Sequence, residues 1–175
     1  MRTIHRIDPR ADLPKQVDQV KQWLDLLRFE YVILADLQNE TYTFLLTIKD
    51  CPDINITLED GYSHISFFSN ALTELKEASE EVILSLMKEI LKIQGQFFTG
   101  RVILTGENEE LRTFNGYRYD EMSMYRFARK VRELLQFVKE LSLLIEKYRL
   151  KEIWRDTEQE HRFPRIDVRE RVRFI

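Results

Sequence analysis

One cysteine in 175 residues excludes a disulfide-stapled scaffold. Five glycines and four prolines leave little room for a loop-rich or low-complexity chain. Long apolar runs are also missing. The longest, residues 31–35, is five residues, against about 20 for a membrane-spanning helix. The opening MRTIHRIDPRAD has no apolar stretch of the kind a secretory leader carries. With a single thiol, these absences point to a cytoplasmic protein without membrane attachment. An excess of one charge is lacking as well. The 27 basic and 30 acidic residues leave −3, too balanced for a protein that binds nucleic acid with its whole surface.

What is present is a sequence that changes period. Hydrophobic residues make up 43% and charged residues 33%, enough for a packed core under a solvated surface. The length suits one domain. Asp12 and Pro14 signal a helix start, and Leu13, Val17, Val20, Leu24 and Leu27 follow at helical spacing to about Arg28. Residues 29–36 (FEYVILAD) and 41–49 (TYTFLLTIK) then read as strands. Ile54, Ile56 and Leu58 alternate with Asn55, Thr57 and Glu59 in a third. Asp60-Gly61 is a hairpin-type turn into a fourth strand over residues 62–68. Four strands on tight links predict an antiparallel meander.

Helical spacing returns with Leu72, Leu75, Ala78, Val82, Leu86, Ile90 and Ile93, up to Gly95. Ser79 before Glu80 and Glu81 is a possible second start, so this stretch is one helix or two. Residues 97–105 and 114–119 read as two short strands around a loop at 106–110. Met124, Phe127, Val131, Leu134, Val138, Leu141, Ile145 and Tyr148 then step alternately by three and four. They mark a long helix reaching about Leu150 or Trp154. The stripe packs on the chain's own sheet or is shared across a dimer. Ala128, Leu135, Phe137, Leu143 and Leu144 widen it beyond a two-position seam, which favours the sheet. Finally Ile166, Val168, Val172 and Phe174 alternate with Arg165, Asp167, Arg169, Arg171 and Arg173, with Glu170 the one exception on the apolar side, the pattern of a strand that must find a pairing partner. The expected organisation is one α+β domain over residues 1–157 and an Arg-rich, strand-like extension over residues 158–175.

The charge is unevenly placed. Residues 1–29 carry +2, residues 30–69 −6, residues 70–124 −4 and residues 125–175 +5. An acidic sheet half thus faces basic ends, within one chain or across two. A basic patch for an acidic partner is the functional alternative.

Catalytic motifs are not found. His5, His64 and His161 lie in separate segments without metal-ligand spacing, and a lone strand histidine such as His64 reads as structural. Cys51 stands beside Asp50 and Asp53, which raise a thiol pKa and disfavour a nucleophile. Asp50, Asp53, Glu59 and Asp60 miss the calcium-loop pattern and read as solvated turn carboxylates. Gly95, Gly100 and Gly106 fit neither a phosphate loop nor a dinucleotide fingerprint. No cofactor, metal or catalytic residue is therefore assigned, and the chain is read as a non-enzyme.

The stretches VKQWLDLLRFEYVILAD, TYTFLLTIKD and INITLEDGYSHISFF, the helix near residues 72–93 and the strand RVILTG follow one another in an order that resembles the YbjN-like and type III secretion chaperone-like fold, over about residues 12–150. That resemblance implies an α+β fold with helices on one face of an antiparallel sheet. It also implies a small, often dimeric, non-catalytic chaperone, adaptor or regulator. The expected function is thus binding of another polypeptide through an apolar sheet or helix surface, by a homodimer. Tyr62, Phe67 and Phe68 are the candidate anchors if exposed, and core residues otherwise. Arg165, Arg169, Arg171 and Arg173 complete the candidate set. An unrecognised small-molecule or enzymatic role is one alternative. Nucleic-acid binding through the basic tail is the other, disfavoured because only Phe163 and Phe174 lie near for stacking.

Overall fold

The computed structural model describes residues 4–59, 61–96, 101–150 and the backbone of 173–174. Its sheet grows from period-2 segments rich in β-branched and aromatic side chains. Strands β1 (His5–Ile7), β2 (Glu30–Asp36), β3 (Thr41–Thr47), β4 (Ile54–Glu59) and β5 (His64–Ser69) pair consecutively and antiparallel. This is the expected four-strand meander with one further strand at its edge. β5 then pairs with β8 (Glu110–Arg118), and β8 with β7 (Arg101–Thr105), so the sheet reverses chain order there. The short β6 (Thr73–Glu74) also joins β8, and β9 (Arg173–Phe174) lies antiparallel on β7 at the far edge.

Three helices, α1 (Lys15–Leu26), α2 (Glu80–Gln94) and α3 (Met124–Lys147), send their buried side chains into a single core cluster with one face of this sheet. The strands contribute Ile33, Phe44, Ile56, Ile65, Phe67 and Leu111 among others, and α3 contributes Phe127, Val131, Leu134, Val138, Leu141 and Ile145. Each large apolar side chain so buried stabilises the fold by roughly 1.5–3 kcal/mol. The three-four stripe read from sequence is therefore the buried face of α3. An aromatic cluster ties the layers together. Trp23 of α1 lies 5.2 Å from Phe127 and 6.2 Å from Tyr119, and Phe67 of β5 lies 5.7 Å from Phe127.

Two expectations are corrected. Leu72 and Leu75 are buried, but not in a helix: their N–H groups donate to the carbonyls of Leu111 and Glu109. α2 begins only at Glu80, where the Ser79 hydroxyl accepts from the Val82 N–H. The second start is thus the true one. In addition, β8 runs from Glu110, so residues 110–113 belong to a strand and the turn is tighter than expected.

Candidate interaction face

Pleating places alternate residues on opposite sides of each strand. With Phe44, Ile56 and Phe67 under the helices, Leu34, Thr43, Leu45, Asn55, Thr57, Ser66, Phe68, Arg112, Phe114 and Ile103 take the other side. No helix of the described residues packs on this side. Yet Leu34 is 6% exposed, Phe68 9% and Ile103 4%, and none of the three belongs to the core cluster. Leu45 and Phe114 are half-buried, and the Phe114 ring lies beside Gly116.

The polar members of this face are partly organised. The Thr43 and Thr57 hydroxyls share a 2.9 Å hydrogen bond. The Asn55 amide donates to Asn70 Oδ1 at 2.9 Å. Arg112 donates from Nε to Thr105 Oγ1 at 3.0 Å and pairs with Glu110. Two atoms stay orphaned: Asn55 Oδ1, on a fully buried residue, and Arg112 Nη1 have no hydrogen-bond partner among the described residues. A buried polar group without a partner costs about 1–3 kcal/mol.

The candidate residues are not brought together. Tyr62 packs toward the core side, edge-on to Tyr42 at 5.7 Å. Phe67 is a core residue at 1% exposure, wedged against Tyr117 and Phe127. Only Phe68 reaches the helix-free face. Arg165, Arg169 and Arg171 lie outside the described residues, and Arg173 contributes backbone to β9. Leu34, Leu45, Ile103 and Phe114 share the face with Phe68 and were not singled out from sequence. Their signal was the parity shared with Phe68 across neighbouring strands, which requires the register.

Other candidates carry less chemistry. Cys51 is buried, and its thiol is pushed up to about 11, first by desolvation and only secondarily by Asp53, against an opposing pull from Lys139. The expected direction holds, but burial outranks the acidic neighbours as its cause. Among the described residues, no group of three His, Cys, Asp or Glu side chains is placed to hold a metal ion, and no helix is long and apolar enough to cross a membrane.

No protein-family model matches the sequence, and no curated protein matches it. Solved structures do. YbjN of E. coli, described as a candidate transcription regulator, aligns with 77% of this chain and 93% of its own at TM-score 0.53 and 19% identity. An uncharacterized protein from Methanothermobacter thermautotrophicus aligns with 75% of this chain and 97% of its own at TM-score 0.60 and 13% identity. A chain of the HopA1–SchA chaperone–effector complex aligns with 76% of this chain and 99% of its own at TM-score 0.52 and 10% identity. At these identities the likeness is one of fold, and the chain shares the α+β fold of YbjN and of that chaperone–effector complex.

Proposed function

We propose that this protein is a non-catalytic binding module for another polypeptide, and that the helix-free face of its sheet is the binding surface. One observation carries the reading. The side of the sheet that no described helix covers carries the half-buried apolar side chains Leu45 and Phe114 beside Leu34, Phe68 and Ile103, outside the core cluster. Apolar rows on a pleated surface suit an extended chain, whose alternate side chains drop between the strands. The fold shared with a chain of a chaperone–effector complex fits the same reading.

The test is selection of peptides from a random displayed library on the full chain, followed by titration of the enriched sequences. Leu45→Arg and Phe114→Arg, at half-buried positions on this face, are expected to weaken binding at least tenfold, about 1.4 kcal/mol. Leu84→Arg, at an exposed position of α2, is expected to leave it unchanged. Failure to enrich any peptide sinks the reading. Weakening by the α2 substitution alone moves the site off the sheet.

A further inference from the structure

We propose a second binding surface on the opposite side of the molecule: the outward face of α3 is a docking ridge for single-stranded nucleic acid. It stands apart from the polypeptide reading, because it uses no residue of the sheet.

α3 turns its apolar stripe to the core, which leaves Tyr125, Arg126, Arg129, Arg132 and Lys139 exposed on its other side. Residues 124–139 hold five basic side chains and one acidic one, Glu133, with Glu121 and Glu140 just outside the stretch. The chain itself engages this row lightly. Arg126 donates from Nη1 to the Glu121 carbonyl at 2.9 Å, and Arg129 reaches Glu133 only at 3.4 Å. Among the described residues, Arg132 and Lys139 have no ion-pair partner. The helix carries these cations against its own dipole. Its first turn holds no acidic side chain, although carboxylates are the favoured charges there and cations the unfavourable ones. A local rule broken without a structural return is what a functional surface leaves behind.

The occupant follows from charge, from one ring and from breadth. A row of cations calls for a polyanion. Tyr125 is 75% exposed, the most exposed of the large hydrophobic side chains described, and it lies in the same row as the arginines. An exposed ring among guanidinium groups stacks a base while the arginines hold phosphates, whereas an acidic peptide uses the cations alone. Breadth decides between one strand and two. α3 packs against both α1 and α2, and helices so packed lie about 8–10 Å apart. A layer of that width cannot enter a major groove about 12 Å wide, but a single strand can lie along the ridge. From Arg126 to Lys139 the ridge is roughly 20 Å long, room for about four nucleotides. The −6 of residues 30–69 belongs to the sheet layer, behind the core, where it does not face the incoming backbone.

The test is fluorescence anisotropy of a labelled oligothymidylate of about 20 nucleotides, titrated with the full chain between about 50 and 200 mM salt. Engagement of about three to four cations is expected to give a slope of about −2 to −3 in log affinity against log salt, a loss of roughly 20- to 50-fold over that range. Arg129→Gln with Arg132→Gln, both at exposed positions, is expected to weaken binding at least tenfold at the lower salt and to flatten the slope by about 1.4. Tyr125→Ala is expected to weaken it about tenfold with the slope unchanged, as loss of stacking requires. Lys76→Gln, at an exposed position outside the helices, is expected to change neither. Absence of binding at the lower salt overturns the proposal, and so does binding that the α3 substitutions leave intact. A duplex of the same length that binds as tightly as the single strand overturns the assignment to one strand. Displacement of the oligonucleotide by an equal charge of polyglutamate makes the ridge a site for acidic polypeptides and overturns the proposal as well.

Discussion

Arg28 and Arg149 stand one residue past the caps of α1 and α3, with φ of 59° and 56°. Each closes its helix in the Schellman manner, the next N–H reaching five residues back: Phe29 to Leu24 and Leu150 to Ile145. Glycine is the usual residue there, because a left-handed L-residue costs roughly 1–2 kcal/mol. Glycine gives back roughly 0.5–1 kcal/mol through the freedom of the unfolded chain. Both side chains are exposed, so Arg28→Gly and Arg149→Gly are each expected to stabilise the protein by about 0.5–1 kcal/mol. In thermal unfolding each raises Tm by about 1–4 °C for a chain of this size. A fall in Tm would show that the arginines make contacts of their own. Asp25 offers a pH-dependent counterpart. Its carboxylate is pushed up by partial burial, but hydrogen bonds from Lys21 at 2.8 Å and Tyr31 at 2.6 Å hold it below its ordinary 3.8. A lowered folded pKa means stability that is present above 3.8 and is lost as pH falls through the folded value. Because the Asp25 side chain is 49% exposed, Asp25→Asn is expected to cost no more than about 1 kcal/mol at pH 7. Denaturant titrations of the two proteins are expected to converge at acid pH. A gap that stayed constant with pH would assign the loss to something other than ionisation.

At the level of elements, the capping serines and the core aromatics make separable contributions. Ser79 and Ser123 each accept a backbone hydrogen bond three residues into α2 and α3. Replacing either with alanine is expected to cost roughly 1 kcal/mol. Phe127→Ala, which removes a fully buried ring packed against both Trp23 and Phe67, is expected to cost roughly 3–5 kcal/mol. Equal losses in chemical denaturation would contradict this division between local caps and layer packing. The same elements show what the sequence carried. α3 was readable because eight apolar residues at alternating steps leave no other face to bury. The meander was readable because its links are short, and short links force neighbours to pair. The start of α2 was ambiguous because Leu72, Leu75 and Ala78 continue the helical spacing by coincidence, while the N–H groups of Leu72 and Leu75 are taken by the carbonyls of Leu111 and Glu109. β1 was missed because three residues show no period. β8 was read too short because its first residues, Glu110-Leu111-Arg112, look like the loop before them. The pairing of β5 with β8 is a long-range choice that no local turn specifies. The face could not be assembled without it: Phe68, Phe114 and Ile103 come from strands that only the register brings side by side.

The charge layout follows the elements of the fold. The −6 of residues 30–69 lies in the β2–β5 meander, whereas residues 125–150, which hold α3, carry seven basic against three acidic side chains. The two signs thus sit in two layers of one chain while the sum stays near zero. On the proposed sheet face, an external polypeptide engages the folded chain and not the unfolded one, so binding and stability are linked over the whole molecule. A library-selected peptide at a hundred times its Kd is expected to stabilise the chain by about 2.7 kcal/mol. Thermal unfolding with and without the peptide measures this as a rise in Tm. Leu45→Arg with Phe114→Arg is expected to remove most of that rise at the same peptide concentration, because the face no longer holds the peptide. An equal rise in the substituted chain would place the peptide elsewhere on the molecule.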